Sequence, residues 1–422
     1  MSDAAAVVRV GLLISMLLLL PFGSLPEFAL LVIAVIGIVD GWKHRALVFH
    51  DASGRLLSLL FLAYWLPELV SAADSVAPEK SWLEVATDLR FLPFGWFVLV
   101  TLQNVRARSW LLSASALLVL LWTFDALLQA SVGVSLGGRM QSDRVSGIFS
   151  DDNLKLGPVL AALAPLSLWA TWKRWRWVGL ILAWLVLAIA VLLAGARAAW
   201  LSFMIVSVIL IWKTAGSPRR FLQIGAATAM MGMLVFAGSY AMSDRLQARV
   251  DRSLQALRGT EASWDTALAY RLPIWTVSVR MGVDHPINGV GVRAFRYAYA
   301  DYAEPDDIWL TTPSGYAMHA HQIVLEILTE TGVIGLLFWL GGVALVVRQW
   351  RRASSEIREQ ARPWGIALVS MCFPINTHLA FYSNFWGTLF WWLLAIFAAS
   401  LATGGLLRSH LTRSFANTAI LR

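Results

Sequence analysis

The sequence predicts an all-α, polytopic integral membrane protein with about twelve transmembrane helices and one large, partly helical loop. Three observations predict it. The 422 residues are 58% hydrophobic and only 14% charged. Several windows of 17 or more residues are almost free of charge, which is the length needed to cross roughly 30 Å of hydrocarbon. The loops between these windows alternate in basic content, as the positive-inside rule requires.

The apolar segments are about 7–23, 25–40, 54–72, 86–103, 109–129, 153–172, 177–195, 198–213, 221–242, 322–348, 363–382 and 385–406. The first runs from Val7 to Phe22 without a small-residue cleavage site and continues through Pro21, so it reads as a retained helix. One set of loops holds Lys43, Arg45, Arg55, Arg106, Arg108, Lys173, Arg174, Arg176, Lys213, Arg219 and Arg220. The loop after segment ten adds Arg348, Arg351, Arg352, Arg358 and Arg362; Arg9 and the tail residues Arg408, Arg413 and Arg422 lie on the same side. Both termini are therefore expected in the cytoplasm. The net charge of +8 is mostly topology and gives no reason to expect a nucleic-acid partner. Cys372, the single cysteine, excludes an intrachain disulfide and a cysteine metal site.

Residues 243–320 form the one long loop, on the non-cytoplasmic side. It holds eight arginines, no lysines and nine carboxylates. Loops of this length without a role are uncommon. "DRLQARVDRSLQALRG" has helical spacing, and a second helix is expected from about Pro273 to a Gly-rich turn. The chain is thus read as one membrane domain, 1–422, with a loop subdomain, 243–320, inserted between segments nine and ten. No inverted repeat of the transporter kind is evident.

Four features on the outer side carry possible chemistry. Arg197 sits in "AGARAAW" between segments seven and eight. A cation at membrane depth is costly unless it pairs or lines a cavity, although an arginine at a tight hairpin can also snorkel. Arg271 precedes Pro273, a residue suited to a helix start, and an arginine fork binds phosphate oxygens bidentately. Arg280, Arg293 and Arg296 compete for that role, and pairing with nearby acids is the plainer reading of each.

"MHAHQIVLEILTETGVIGLL" opens segment ten with His319 and His321. Glu326, Thr329, Glu330 and Thr331 require its first turns to be wet or covered by protein. Gly332 and Gly335 allow another helix or a lipid chain to approach closely. Histidine accepts a proton near neutral pH. The H-x-H pair has no dense histidine or carboxylate cluster beside it in sequence, so no metal is expected. Finally, "RVSGIFSDDNLKLG" offers Arg144, Asp151, Asp152 and Asn153, with Asp152 equally suited to cap a helix.

These features together resemble the O-antigen ligase family (WaaL), within a wider group that includes O-antigen polymerases and O-oligosaccharyltransferases. The family signature is a histidine, then Asn, Ser or Gln, nine residues, and Gly-x-x-Gly. Here His321, Gln322, Gly332 and Gly335 match it, with His319 as an additional candidate. Arg197 in "GARAAW" is similar to a second family element. Arg271, Trp275, His285, Pro286, Gly289 and Gly291 are similar to a third, and "RVSGIF" from Arg144 to a fourth. The resemblance implies transfer of O-antigen glycan from undecaprenyl pyrophosphate to lipid A–core at the periplasmic face of a Gram-negative inner membrane. It implies that His321 is the general base, that Arg197 and Arg271 hold the pyrophosphate, and that no cofactor takes part. Arg144, Arg280, Arg293, His319 and Gln322 are further candidates for binding pyrophosphate or glycan. A polymerase or protein O-oligosaccharyltransferase is the alternative within the class. A lipid-linked glycan flippase, which would place ionisable residues deep in the spans, is the alternative outside it.

Overall fold

The computed structural model describes residues 2–140, 144–150, 155–242, 244–254, 259–376 and 379–402. The described chain is all helix apart from a two-residue-per-strand hairpin, Val134–Ser135 against Gly138–Arg139. Helices α1 (Asp3–Leu19), α2 (Leu25–Lys43) and α3 (Ala52–Ala72) follow the first three predicted segments. Arg9 fixes their packing: its guanidinium pairs with Asp40, donates to Thr101 Oγ1 at 2.8 Å, and lies 3.9 Å over the Phe97 ring.

The fourth predicted segment is not one continuous helix. It divides into α4 (Pro78–Asp88) and α5 (Phe91–Thr101), because Asp88 and Arg90 are polar residues tied to their surroundings. Asp88 accepts a hydrogen bond from the Tyr64 hydroxyl at 3.2 Å. Helix α6 (Val105–Val132) is capped by Asn104, whose side chain accepts from the amides of Arg106 and Ala107. It ends at Gly133, which adopts φ 78°, the left-handed conformation that terminates many helices.

Segments six and seven are two helices that meet at Arg176 without an intervening loop, together α7 (Leu156–Leu193), of 38 residues. Drawn straight, it would be about 57 Å long. Yet a Cβ placed on Gly157, near its start, would lie 3.0 Å from the Cβ of Ala194, just past its end. The helix therefore turns back on itself at Arg176, whose φ is 54°. Helix α8 (Arg197–Ala215) is partly buried in the bundle, and α9 (Pro218–Met242) lies at its outside with no buried residue from 218 to 241.

The long loop carries α10 (Asp244–Leu254), α11 (Glu261–Ala267), α12 (Leu272–Asp284) and α13 (Phe295–Tyr302). It has a small apolar core of its own, in which Ile274, Val277, Met281, Phe295 and Tyr299 are buried. The chain then returns through α14 (Ile323–Arg352), α15 (Ser355–Met371) and α16 (Asn384–Ala402). The eleventh predicted segment ends earlier than its hydropathy suggests, because Pro374 follows Met371 within two turns and residues 373–376 leave the helix.

Among the described residues, eight helices are long and apolar enough to span a membrane, and one of these, α7, is the folded-back pair. The protein is a multi-pass, all-α membrane protein. One end of the bundle gathers the Asp3–Arg106 and Lys173–Glu359 ion pairs. The other gathers the start of α8, the loop helices and the start of α14.

Candidate active site

Arg197 is the first residue of α8. Its small neighbours are packed rather than decorative: Ala194, Ala196 and Ala199 are buried and close around Gly157. This tight junction delivers the guanidinium to the helix N-terminus, where its Nη1 donates to Ser253 Oγ on α10 at 3.0 Å.

Arg271 caps α12 from a contorted turn. Ala269 and Tyr270 both have φ 57°, a region that non-glycine residues enter only at a cost. Asp265 holds that turn, accepting from the Tyr270 amide with its carbonyl at 2.8 Å and from the Leu272 amide with its side chain at 3.1 Å. Arg271 Nη1 donates to the Leu268 carbonyl at 3.0 Å. Its Nε is buried without a hydrogen-bond partner among the described residues. Burial, and then the charges of Arg197 and Arg144, hold the Arg271 guanidinium down at about 10, below the usual arginine value.

Arg144 reaches this cluster from the loop before α7. Gln129 on α6 anchors that loop, its side-chain oxygen accepting from the amides of Ser146 and Gly147 at 2.8 Å each. Three arginines from three separate stretches thus converge on a partly buried spot. Asp151, Asp152 and Asn153 lie outside the described residues.

The histidines sit at the entrance to α14. Gln322 is its N-cap, its side-chain oxygen accepting from the Leu325 amide at 2.6 Å, so Gln322 shapes the turn that carries His321. His321 has φ 54°. Its amide donates to His319 Nδ1 at 3.2 Å, and the two rings lie 3.9 Å apart. His319 Nδ1 is also 3.9 Å from Glu326 Oε2. At 3.9 Å the contact with the carboxylate is too long for a hydrogen bond.

The first turns of α14 are covered by protein. Glu326, Thr329, Glu330 and Thr331 are each no more than 2% exposed. Gly332, with φ 65° and ψ −164°, breaks the helix. The freed amides of Val333 and Ile334 donate to the carbonyls of Pro286 and Ile287 at 2.8 and 3.1 Å, and the Val290 amide donates to the Thr329 carbonyl at 2.8 Å. A Cβ on Gly332 would sit 2.2 Å from the Ile287 oxygen. The close approach expected at this glycine is therefore made by the "HPINGVG" loop, not by a second helix or a lipid. Gly335 faces an apolar groove.

The other arginines part company with this cluster. Arg280 is exposed, ion-paired with Glu304 at 2.5 Å and donating to the Tyr302 carbonyl at 3.0 Å. Arg293 turns inward: its backbone amide donates to Glu330 Oε2 at 2.7 Å and its Nε lies 3.8 Å from Glu84 Oε1. Arg296 has its guanidinium pushed down by burial and by Arg293, and its Nη1 lies 3.9 Å from the Met318 sulfur.

The sequence reading missed what Arg293 faces. Glu68, Glu84, Asp88, Glu326 and Glu330 are all buried, and they come from α3, α4 and α14. They are far apart in sequence, so no local motif announces them. Among the described residues no group of three or more His, Cys, Asp or Glu is arranged to hold a metal.

Fold and site together define a multi-pass helical membrane protein whose arginines and histidines collect at one end of the bundle, around a loop docked into a broken helix. Residues 182–340, which run from the second half of α7 through α8, α9 and the whole loop into α14, match the family model described as O-antigen ligase (Wzy_C), so over this span the chain is similar to that family. That likeness supports glycosyl transfer of the O-antigen ligase and polymerase type, in which a lipid-linked glycan and an acceptor are the partners in general. No curated protein matches the chain.

Proposed function

We propose that the protein transfers O-antigen glycan from undecaprenyl pyrophosphate to lipid A–core, at the periplasmic face of a Gram-negative inner membrane, with both termini in the cytoplasm. The observation that carries this reading is the convergence of Arg144, Arg197 and Arg271. Three cations in a partly buried site repel one another, and Arg271 already registers that repulsion. A pyrophosphate diester, spreading charge over several oxygens, is the complementary ligand.

The sugar–pyrophosphate bond is already activated, so the reaction needs no ATP and no cofactor. The acceptor hydroxyl attacks the anomeric carbon. The bond from that carbon to the pyrophosphate oxygen breaks, and its electron pair leaves with the lipid pyrophosphate. Arg197 and Arg271 stabilise the growing charge there, from positions fixed before the reaction begins. His321 takes the hydroxyl proton. Attack opposite the leaving group inverts the anomeric configuration. Gln322 and His319 set the backbone and ring position of His321, while Arg280 and Arg293 hold the loop.

The test is reconstitution of the purified protein with undecaprenyl pyrophosphate-linked glycan and lipid A–core. Labelled glycan on lipid A–core supports the proposal. Glycan elongated only on the polyprenyl carrier would make the protein a polymerase, and glycan on a polypeptide would make it an O-oligosaccharyltransferase. Movement of the donor across the bilayer without transfer would make it a flippase.

A further inference from the structure

Below the break in α14 the helices separate. Gly335, Trp339, Gly342 and Val346 recur at helical spacing on one face of α14, and this face lines a cavity of about 540 Å³ shared with α3, α8, α15 and α16. Its lining is almost entirely apolar. From Gly335 to Arg351 it follows α14 for about 24 Å at the helical rise, most of the thickness of a hydrocarbon core. Glycines along it leave the width: a Cβ on Gly342 would make only ordinary contacts, 3.6 Å from Ala63 and 3.8 Å from Leu60.

The far end of this groove, opposite the arginine and histidine cluster, is cationic. Lys213 from the last turn of α8, Arg351 from the last turn of α14, and Arg362 from α15 line it. Three other cations at this end have acids beside them, in Arg9–Asp40, Arg106–Asp3 and Lys173–Glu359. Among the described residues, Lys213, Arg351 and Arg362 have no carboxylate within ion-pairing distance. Arg362 lies with its guanidinium 5.0 Å over the Trp169 ring, and its Nε is buried without a hydrogen-bond partner.

An apolar groove as long as an acyl chain, ending in three cations without acids, matches one kind of molecule. We propose that it holds an acyl chain of an anionic phospholipid, with the lipid phosphate bound by Lys213, Arg351 and Arg362. Basic pockets between helices commonly select lipids in this way, while the apolar wall supplies affinity without charge preference. The site lies at the opposite end of the bundle from the proposed transfer chemistry and stands independently of it.

The test uses full-length, delipidated protein in detergent, with lipid retention read by native mass spectrometry. Phosphatidylglycerol and phosphatidylcholine of identical chains are the probes. Wild type is expected to retain phosphatidylglycerol at least about tenfold more tightly, from the electrostatic contribution of surface cations. The combined K213Q/R351Q/R362Q variant is expected to lose that preference. R174Q, an exposed cation at the same end but outside the groove, is expected to keep it. Gly342→Phe, which places a ring in the groove, is expected to weaken both lipids. Melting temperatures establish that each variant is folded, and if the phenylalanine variant is not, the triple variant decides. Equal retention of the two lipids by wild type, or an unchanged preference in the triple variant, would overturn the proposal. So would displacement of phosphatidylglycerol by undecaprenyl phosphate that binds the triple variant as well as wild type, since the groove would then hold a polyprenyl chain.

Discussion

The Val333 amide donates to the Pro286 carbonyl at 2.8 Å, joining the loop to the helix that carries the histidines. The bond exists because Gly332 has left the helical conformation. Two stretches that look like separate motifs in sequence, "HPINGVG" and "TGVIG", are the two sides of one contact. Any side chain at position 332 must displace the Ile287 carbonyl and hold a positive φ.

Gly332→Ala is therefore expected to cost about 2–4 kcal/mol of stability, from steric conflict and backbone strain. Gly335→Ala meets the Thr331 Cβ at 2.6 Å and the Ile327 Cγ2 at 3.2 Å, but it has no backbone carbonyl to displace and no positive φ to hold, and should cost less. Thermal melting of the two variants in the same detergent checks the order. Equal melting temperatures would remove the docking from the account.

In the proposed reading Arg271 and Arg197 are arranged for an anion rather than for stability. A base whose folded value is depressed is destabilising while charged. That cost is fully present below about 10, and it lessens as pH rises from there toward the unfolded arginine value. At neutral pH only a bound anion, or loss of a neighbouring charge, relieves it. Inorganic pyrophosphate should accordingly raise the melting temperature of wild type. Arg197→Gln and Arg271→Gln should abolish that rise without lowering the starting melting temperature, and should reduce transfer by about 10²–10³-fold.

Arg293 is expected to behave differently. Its removal takes the guanidinium from buried Glu84, while Glu330 keeps the Arg293 backbone amide, and an unpaired buried charge typically costs about 3–5 kcal/mol. Arg293→Gln should melt well below wild type yet retain the pyrophosphate-induced rise. Loss of that rise in a folded Arg293→Gln sample would move Arg293 into the anion site.

His319 and His321 are in ring contact, so their variants must be compared directly. His321→Ala should abolish transfer, while His319→Ala should retain a measurable fraction, because His319 touches the base rather than the reacting hydroxyl. Wild-type transfer should fall on the acidic side of neutrality, where an imidazole is protonated and cannot accept a proton. The pH–rate profile of each variant reads this.

The fold was legible in the sequence because apolar runs in a membrane protein map almost directly onto helices. It failed where local chemistry overrides hydropathy: at Asp88 and Arg90, which divide a segment, and at Pro374, which ends one early. The placing of Arg197, Arg271 and His321 at the starts of α8, α12 and α14 was legible by side and motif. The meeting of Arg144 with Arg271, the contact of Gly332 with Ile287, and the burial of Glu68, Glu84 and Asp88 were not. Each joins residues far apart in the chain, and a single sequence carries no signal for such contacts.

The most direct measurement is a single-turnover transfer assay with saturating undecaprenyl pyrophosphate-linked glycan and lipid A–core, run beside donor binding on the same His321→Ala sample. The account predicts donor binding at wild-type strength and no transfer. Transfer at the wild-type rate by that variant would contradict it.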